Sequence, residues 1–316
     1  WENNQHLDTL DYDDQVYFPV IFNYRTPKYD FVGIDELQDL STIQRVFTEK
    51  LVSRNGRVMG VGDFFQAIFQ WRGAASDSME CFQSEFDCKV LPLSITYRCP
   101  KKVVQEANVF VPELEAAPWA EEGKILRTQY YDANTFRNVQ NGVILCRNNA
   151  PLMRMAIRLL RHKVRFYMQR HGDFVESIKN FILTFKAYNL TDLFQKMGRW
   201  EHKQLEKCFA HGRDTQAQYI SDKCACVQFL ANEASSVEGV LQLLDTIFQQ
   251  RGNITLSTIH AWKGRENDDV FFLDKWLIPS KHAKQPWQKQ QELNVAYVGI
   301  TRAKKRLHYI NSLGMQ

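Results

Sequence analysis

Tyr29-Asp30-Phe31-Val32-Gly33-Ile34-Asp35-Glu36 is a short apolar run that ends in two acids. A run of this length and composition predicts a buried parallel strand with carboxylates at its carboxyl end. Arg57-Val58-Met59-Gly60-Val61-Gly62-Asp63 repeats the pattern. Between the two runs, Ser41 is a helix-capping residue, and a helix of about ten residues is predicted from there through Leu51. Strand, helix and strand with polar residues at the strand ends indicate an open α/β sheet.

The same strand pattern returns later in the chain, whereas residues 1–30 have no assignable pattern. Residues 173–250 contain few glycines, no proline and helical apolar spacing, which predicts an all-helical insertion. We therefore expect three parts: residues 1–93, a second α/β domain made of 94–172 and 251–316, and the insertion. Further strands are predicted at 89–93, 142–147, 164–168, 254–258, 269–273 and 306–310, and helices after Pro100, from Pro151, and from about Trp287 towards Thr301.

Composition sets broad limits on the function. The 316 residues carry a net charge of +4 with 44% hydrophobic residues, which is typical of a globular protein and permits a polyanionic partner without requiring one. No apolar run approaches the roughly 20 residues of a membrane span, and no signal peptide is visible. Seven scattered cysteines favour a reducing compartment. We expect a cytoplasmic protein, in a bacterium or a phage-infected host, without a membrane partner.

One group of metal-ligand residue types leaves an alternative open. Cys208, His211, Cys224 and Cys226 have a C-x2-H…C-x-C spacing, and four such ligands can form a tetrahedral zinc site. The spacing lacks the usual C-x2-C pair. Cys224 and Cys226 are equally compatible with small residues on a helix, where positions i and i+2 face apart.

The acids after the first strand have two interpretations. In a P-loop NTPase, an acid at a strand end binds Mg²⁺, and a neighbouring acid orients the attacking water. Alternatively, Asp35 and Glu36 only favour the start of the next helix, by roughly 0.3–1 kcal/mol. The additional polar residues Gln38 and Asp39, and the strand end at Gly62-Asp63-Phe64-Phe65-Gln66, favour the catalytic interpretation.

Six segments together resemble the conserved motifs II to VI of superfamily 1A helicases, the UvrD/Rep family. Asp35-Glu36-Leu37-Gln38-Asp39 resembles motif II, and residues 62–74 resemble motif III. The resemblance runs from about residue 29 to the carboxyl terminus except for the helical block, and the motifs follow the family order. The later motifs are matched by Leu93-Ser94-Ile95-Thr96-Tyr97-Arg98 (IV), Cys146-Arg147-Asn148-Asn149-Ala150 (IVa), residues 256–266 (V) and residues 296–304 (VI).

The resemblance implies RecA-like P-loop NTPase domains with an α/β fold, ATP as the nucleotide and Mg²⁺ as the metal. Asp35 would bind the metal and Glu36 would be the general base. Gln66 would sense the γ-phosphate. Arg98 and Arg302 would be arginine fingers, since a planar guanidinium suits two-point phosphate contact. Without the family context, Arg302 is also compatible with a solvated residue at a helix end.

The resemblance also implies contacts to the nucleoside and to DNA. Tyr97 would stack on the adenine and Glu266 would accept from the ribose hydroxyl. Phe69 stands where many relatives have Tyr, and Asn267 where many have Phe, so one hydroxyl is lost and local packing differs. Trp71 alone is also compatible with core packing. Aromatic and basic residues together hold single strands by stacking and phosphate neutralisation. The implied DNA-binding residues are Phe69, Trp71, Arg72, Asn148, Thr258 and His260.

No G-x-x-x-x-G-K-[ST] segment occurs in the chain. Such a loop supplies the backbone N–H groups and the lysine that hold the β- and γ-phosphates. We therefore expect a fragment of an ATP-dependent, 3′-to-5′ DNA helicase acting on single strands and on single-strand/duplex junctions, inactive alone. The missing starting Met agrees with a fragment. The alternative is a helicase-like regulatory or DNA-binding module that naturally lacks the loop. A helicase–nuclease fusion has no support, because no nuclease-like metal cluster follows residue 304.

Overall fold

The computed structural model describes residues 11–69, 77–127, 133–169 and 174–312. The chain divides into two compact units, residues 1–93 and residues 94–316. Each unit has its own parallel strands and its own packed helices. Among the described residues, the polypeptide forms no helix with the length and apolar character needed to cross a bilayer.

Unit 1 is built on two parallel strands, β1 (Tyr29–Ile34) and β2 (Val52–Gly60). Helix α2 (Thr42–Leu51) connects them, and Ser41 caps it as predicted. The cap is a full capping box, in which the Ser41 hydroxyl accepts from the Gln44 N–H and the Gln44 side chain accepts from the Ser41 N–H. The other helices of unit 1 are α1 (Asp14–Ile21) and α3 (Ser78–Glu85), with short 3₁₀ turns at Leu37–Asp39 and Phe64–Gln66.

Unit 2 contains a six-stranded, entirely parallel sheet with strand order β5-β10-β9-β6-β8-β7. The α/β class and the parallel sheet confirm the predicted fold. A separate pair of two-residue strands, β3 and β4, is also parallel. The strands are β3 (Ile95–Thr96), β4 (Glu115–Ala116), β5 (Lys124–Arg127), β6 (Gly142–Cys146), β7 (Phe166–Met168), β8 (Ile254–Thr258), β9 (Asn267–Leu273) and β10 (Ala303–Ile310).

Helices cover this sheet, and the predicted all-helical stretch is four helices long. The helices of unit 2 are α4 (Lys101–Ala107), α5 (Asn149–Arg161), α6 (Phe174–Thr184), α7 (Leu190–Ala210), α8 (Asp214–Ala231), α9 (Val237–Gln249), α10 (Ile259–Trp262) and α11 (Pro286–Ile300), with 3₁₀ turns at Ala133–Asn138 and Lys275–Leu277.

The helical block α6–α9 shares one hydrophobic core with the sheet. Leu193, Val227 and Leu244 of the block belong to the same buried cluster as Ile144 and Leu256 of the strands. Burial of such side chains contributes about 1.5–3 kcal/mol each. The block is therefore anchored to the sheet through its own core residues.

Helix α8 also caps helix α5. The Asp222 carboxylate accepts hydrogen bonds from the backbone N–H of Asn149, at 2.8 Å, and of Ala150, at 2.9 Å. A carboxylate at a helix amino terminus satisfies unpaired N–H groups and complements the helix dipole. Burial nevertheless raises the pKa of Asp222 above its ordinary value.

One of the predicted elements is missing from the structure. The strand predicted at 89–93 is absent, and strand β3 begins only at Ile95. Pro92 lacks a backbone N–H, so a ladder through this segment would lose a hydrogen bond. Conversely, β5 and α1 are not predicted from the sequence, because neither has a clear apolar period.

Candidate nucleotide and DNA sites

Four polar residues of unit 1 follow the ends of its two parallel strands. Asp35 and Glu36 come directly after β1, and Asp63 and Gln66 come within six residues of the end of β2. The last residues of the two strands are paired in register. Parallel strands end at the same edge of a sheet. The structure therefore brings the predicted residues Asp35, Glu36 and Gln66 together at one edge of unit 1.

Gln38 connects these residues. Its side chain is buried, at 3% exposure; it donates to the Glu36 carboxylate and accepts the Asp63 backbone N–H at 2.9 Å. The Gln66 amide donates to the Asp63 carboxylate at 2.8 Å. Glu36 itself has φ of +52°, in the left-handed region that costs a non-glycine residue of order 1 kcal/mol or more. The edge is a connected network that holds Glu36 in a strained conformation.

The carboxylates at this edge are suitable ligands for Mg²⁺. One Asp35 oxygen accepts the Glu36 N–H at 2.8 Å, and its second oxygen has no hydrogen-bond partner among the described residues. Mg²⁺ takes oxygen ligands, usually one or two protein carboxylates with waters and phosphates. Asp35 is exposed, so both waters and phosphate oxygens have access to it.

The zinc alternative has no geometric support. Across the described ranges, no group of three or more His, Cys, Asp or Glu residues is arranged to hold a metal ion. Cys208, Cys224 and Cys226 are buried instead in the hydrophobic cluster of unit 2. Burial raises the pKa of the Cys224 thiol to about 12, which opposes the thiolate form that zinc requires.

Tyr97 lies on the surface of unit 2 beside a second aromatic residue. The parallel pairing of β3 with β4 brings the segment after Thr96 next to Ala117, whose N–H donates to the Thr96 carbonyl at 3.1 Å. As a result, the Tyr97 ring lies 5.8 Å from the Trp119 ring, at an interplanar angle of 37°. Both side chains are about three-quarters exposed, at 73% and 76%. Tyr97 is thus open to a stacking ligand.

Arg98 and Glu266, which are far apart in sequence, form an ion pair within unit 2. The Arg98 Nε donates to the Glu266 Oε2 at 2.6 Å, and the Lys304 Nζ lies 3.3 Å from Oε1 of the same carboxylate. The Arg98 hydrogen bond is the main cause that lowers the pKa of Glu266 below its ordinary value. The structure therefore brings a predicted phosphate ligand and the predicted ribose ligand into direct contact, with Lys304 as a third member.

Arg302 differs from Arg98 in being 1% exposed. Its Nε donates to the Val298 carbonyl at 3.0 Å and its Nη2 donates to the Thr301 hydroxyl at 3.2 Å. Its Nη1 lies 3.5 Å from the Arg265 carbonyl. The guanidinium thus ties the end of α11 to the turn that precedes β9.

The predicted DNA-binding residues of unit 2 follow the carboxyl ends of two adjacent strands. Thr258 is the last residue of β8, and its hydroxyl accepts the Ala261 N–H at 3.2 Å as the cap of α10, which contains His260. Asn148 comes two residues after β6, and its side-chain oxygen Oδ1 accepts a hydrogen bond from the Gln218 side-chain amide at 3.1 Å. Since β6 and β8 are neighbours in the sheet, these residues share one edge.

The predicted nucleotide and DNA residues lie at opposite edges of the six-stranded sheet. Glu266 immediately precedes β9 and Arg302 immediately precedes β10, so both belong to the amino edge. Thr258 and Asn148 belong to the carboxyl edge. Strands of five to eight residues at about 3.3 Å per residue separate the two edges by roughly 17 to 26 Å.

The remaining predicted DNA-binding residues belong to unit 1. Phe69 is half-buried in the segment after the second 3₁₀ turn. Trp71 and Arg72 lie outside the described residues.

Three residues of these sites are not assigned a role from the sequence. Gln38 stands within a recognised motif, but its bridging contacts depend on where β2 ends. Trp119 reaches Tyr97 through the two-residue pairing of β3 with β4, for which the sequence has no periodic signal. Lys304 belongs to motif VI, yet its contact with Glu266 depends on the neighbouring positions of β9 and β10.

Two protein-family models match most of the chain. Residues 8–87 match the UvrD/REP helicase N-terminal domain, and residues 125–313 match the UvrD-like helicase C-terminal domain. DNA helicase II of Haemophilus influenzae is 30% identical over 93 residues, which are 29% of this chain and 13% of the relative. ATP-dependent DNA helicase PcrA of Bacillus subtilis is 26% identical over 436 aligned residues, covering 96% of this chain and 59% of the relative.

A third relative, ATP-dependent DNA helicase Rep of Buchnera aphidicola, is 20% identical over 276 residues, covering 83% of this chain and 38% of the relative. The chain thus spans between 13% and 59% of the lengths of these three relatives. The C-terminal family model alone covers more than half of the chain. The chain belongs to the UvrD-like helicase family.

Proposed function

We propose that this chain is part of an ATP-dependent DNA helicase that moves 3′-to-5′ along single-stranded DNA. Residues 1–93 form the carboxyl-terminal part of a first RecA-like domain, and 94–172 with 251–316 form the second. ATP is hydrolysed between them. The observation that carries the proposal is that the residues expected to bind nucleotide and those expected to bind DNA lie at opposite edges of the six-stranded sheet. A rigid sheet couples a movement at one edge to a movement at the other.

The residues at the edge of unit 1 perform the hydrolytic chemistry. Glu36 accepts the proton of the attacking water, and Gln38 holds its carboxylate in position. Gln66, oriented by Asp63, contacts the γ-phosphate. Mg²⁺ held by Asp35 would neutralise charge on the β- and γ-phosphates.

The residues at the amino edge of unit 2 bind the nucleotide from the other side. Tyr97 stacks on the adenine and Glu266 accepts from the ribose. Arg98 releases the Glu266 carboxylate and binds a phosphate oxygen instead, and Glu266 keeps its ion pair with Lys304. Arg302 reaches the γ-phosphate after giving up its carbonyl partners. Guanidinium groups are suited to this role because they stay charged and bind phosphate through two N–H groups.

Single-stranded DNA lies against the carboxyl edge of unit 2. Thr258 and His260 are placed there by β8 and α10, and Asn148 by β6. Phe69, Trp71 and Arg72 add stacking and phosphate contacts from unit 1. Nucleotide binding and release change which of the two units binds the strand more tightly. This alternation moves the protein along the strand.

The phosphate-binding loop is supplied by polypeptide beyond the printed sequence, and the chain alone is inactive as an ATPase. The sheet of unit 1 supports this part of the proposal. Phe31 of β1 is 59% exposed and Met59 of β2 is 51% exposed. Parallel strands normally have both faces covered. Two parallel strands with apolar side chains in solvent therefore require further strands or helices to pack on them.

The runner-up function is a helicase-like regulatory or DNA-binding module. It is favoured by one observation, the lack of a G-x-x-x-x-G-K-[ST] segment in the 316 residues. The retained network of Glu36, Gln38, Asp63 and Gln66 favours the motor, because a module that never hydrolyses ATP has no use for it.

The test compares the 316-residue chain with the full-length gene product. DNA-stimulated ATP turnover is measured for both, together with displacement of a labelled strand from duplexes with a 3′ or a 5′ single-stranded tail. We expect turnover and 3′-tail-dependent displacement from the full-length product only. A full-length product that binds DNA without any ATP turnover would establish the regulatory module instead.

A further inference from the structure

Trp119 is an exposed aromatic residue that has no part in the nucleotide chemistry described above. Its side chain is 76% exposed, and its ring contacts that of Tyr97, which is 73% exposed. Single aromatic side chains are common on protein surfaces. Two that contact each other while both remain in solvent bury little of their area in doing so. The packing of the fold therefore does not account for this aromatic pair.

Backbone hydrogen bonds fix the loop that carries Trp119 on both sides of the residue. Before it, the Ala117 N–H donates to the Thr96 carbonyl at 3.1 Å. After it, the Lys101 N–H at the start of α4 donates to the Glu121 carbonyl at 2.9 Å. The exposed indole ring is thus presented from a backbone that is joined to the Tyr97 segment at two points.

Close packing keeps the same loop against residues 97–100. Gly123 has φ of +69°, and a Cβ atom at this position would lie 2.5 Å from Cγ of Pro100, so a larger residue does not fit. On the other side, the Cys99 thiol donates to the Thr301 carbonyl at 3.4 Å. Residues 97–100 are therefore held between the loop of Trp119 and the end of α11.

The distance between the two rings determines where a ligand can stack. Their centroids are 5.8 Å apart at an interplanar angle of 37°, which is within the range in which aromatic rings attract each other. A base between them would need roughly 7 Å, twice the carbon–carbon contact distance. The base must therefore stack on the side of Tyr97 that faces away from Trp119.

The contact with Trp119 lowers the entropic cost of that stacking. An exposed tyrosine that binds a ligand loses side-chain freedom, and this loss reduces the affinity. The Tyr97 ring is already restrained by the Trp119 ring, so less freedom remains to be lost. The neighbouring residue Arg98 contacts Glu266, which places the aromatic pair beside the predicted phosphate and ribose ligands.

We propose that Trp119 is a positioning residue for nucleotide binding, whose ring holds Tyr97 in the orientation that stacks on the base without contacting the base itself. The assignment rests on the proposed function, in which Tyr97 stacks on the adenine. Every base has a face on which an aromatic ring can stack. Trp119 therefore strengthens the binding of any nucleoside triphosphate and does not select adenine.

The test measures binding of a non-hydrolysable ATP analogue to the full-length gene product by calorimetry, without DNA. Trp119→Ala should raise Kd by about two- to tenfold, the range that an aromatic pair contributes. Trp119→Phe keeps a ring at the position and should retain most of the affinity. Tripolyphosphate, which has no base, should bind Trp119→Ala and the wild type equally. At saturating ATP, kcat should stay at the wild-type value.

A matched control removes an exposed tryptophan elsewhere in unit 2. Trp276 is 58% exposed and follows the carboxyl end of β9, whereas Glu266 precedes its amino end. Trp276→Ala should leave the Kd of the analogue unchanged. Since Trp119 is largely in solvent, Trp119→Ala should unfold in urea within about 0.5 kcal/mol of the wild type.

A double-mutant cycle separates positioning from direct contact. If Trp119 acts through Tyr97, Tyr97→Ala/Trp119→Ala binds the analogue no more weakly than Tyr97→Ala alone. Additive losses would show that Trp119 contacts the base itself and would overturn the positioning role. Weaker binding of tripolyphosphate to Trp119→Ala would reveal a general disturbance of the site and would also reject that role.

The outcomes distinguish this proposal from the proposed function. A wild-type Kd for Trp119→Ala, with a raised Kd for Tyr97→Ala, would overturn the role of Trp119 alone. That result together with a loss of stability in the full-length Trp119→Ala product would show that other polypeptide covers the aromatic pair. A wild-type Kd for Tyr97→Ala would remove both rings from the nucleotide site.

Discussion

Arg98 donates a 2.6 Å hydrogen bond to Glu266, although the two residues are 168 positions apart in the chain. In the proposed function, both residues bind the same nucleotide, one through a phosphate and the other through the ribose. Without nucleotide they neutralise each other. The ion pair joins two charged side chains at the amino edge of the sheet, and in the proposed function it must open when a phosphate binds.

The ion pair gives a prediction for pH. Because the Arg98 hydrogen bond lowers the pKa of Glu266, its stabilising contribution is present above the ordinary pKa of a glutamate and is lost as the pH falls through the lowered value. Arg98→Ala should raise the pKa of Glu266 towards that of an ordinary glutamate. Carboxyl-carbon NMR titration measures the shift, and Arg127→Ala, whose partner is Glu106, is the control. An unchanged titration of Glu266 would contradict the contact.

The proposed general base gives a second prediction, made for the full-length product. Glu36→Gln keeps the size and hydrogen-bonding capacity of the side chain but cannot accept a proton. We expect DNA-stimulated ATP hydrolysis to fall by 10²-fold or more, with nucleotide affinity retained. Steady-state turnover and binding of a fluorescent ATP analogue check this. Glu49→Gln, an exposed acid on α2, should behave as wild type. Normal turnover in Glu36→Gln would refute the assignment.

Gln38 gives a prediction for stability. Gln38→Ala removes the two hydrogen bonds that this buried side chain makes to Glu36 and to the Asp63 N–H, and since each such bond contributes about 0.5–1.5 kcal/mol, the loss should be about 1–3 kcal/mol. Urea unfolding of the 316-residue chain should show a loss of that size. Gln83→Ala, at an exposed position of α3, should change the free energy of unfolding by less than about 0.5 kcal/mol. Equal effects in both variants would contradict the bridging role.

The buried ion pair Arg147–Glu292 gives a further prediction. Its Nη2–Oε1 distance is 2.7 Å, and Glu292 also accepts the Ser280 N–H at 2.9 Å. Glu292→Leu leaves the Arg147 charge buried without compensation, so the free energy of unfolding should fall by about 3–5 kcal/mol. Arg147→Met/Glu292→Leu should recover much of this loss, because both charges are gone. A double-mutant cycle by urea unfolding measures the coupling, and additive effects would contradict it.

Tyr97 gives a prediction for nucleotide binding by the full-length product. Stacking on an aromatic ring contributes about 1–3 kcal/mol per base. Tyr97→Ala should therefore raise KM for ATP by about fivefold or more with little change in kcat, whereas Tyr97→Phe keeps the ring and should resemble wild type. Steady-state kinetics on both variants decides this, and a wild-type KM for Tyr97→Ala would remove Tyr97 from the site.

The elements that position the sites are those with the clearest sequence signals. Asp35 and Glu36 could be placed at a strand end because an apolar run stops at them, and Thr258 ends a strand for the same reason. The segment 89–93 has a similar apolar composition, yet no strand forms there. Composition alone does not reveal whether a neighbouring strand is available to accept its hydrogen bonds.

The side-chain contacts within the sites could not be predicted in the same way. Trp119 contacts Tyr97 only because two very short strands pair in register. Arg98 contacts Glu266 although 168 positions of sequence separate the two residues. The burial of Arg302 is likewise a consequence of how α11 meets the turn before β9. Motif order indicates which residues share a site, whereas the contacts among them depend on tertiary packing.

The capping of the first turn of α5 by Asp222 of α8 has a mechanical consequence. Asn148, which the proposed function puts against DNA, directly precedes the two N–H groups that this carboxylate holds. Any tension that the nucleic acid exerts on Asn148 is therefore passed within one residue to α8. In the proposed function, the four helices α6–α9 therefore steady the DNA contact at Asn148, and their excision would weaken that contact as well as expose the core beneath them.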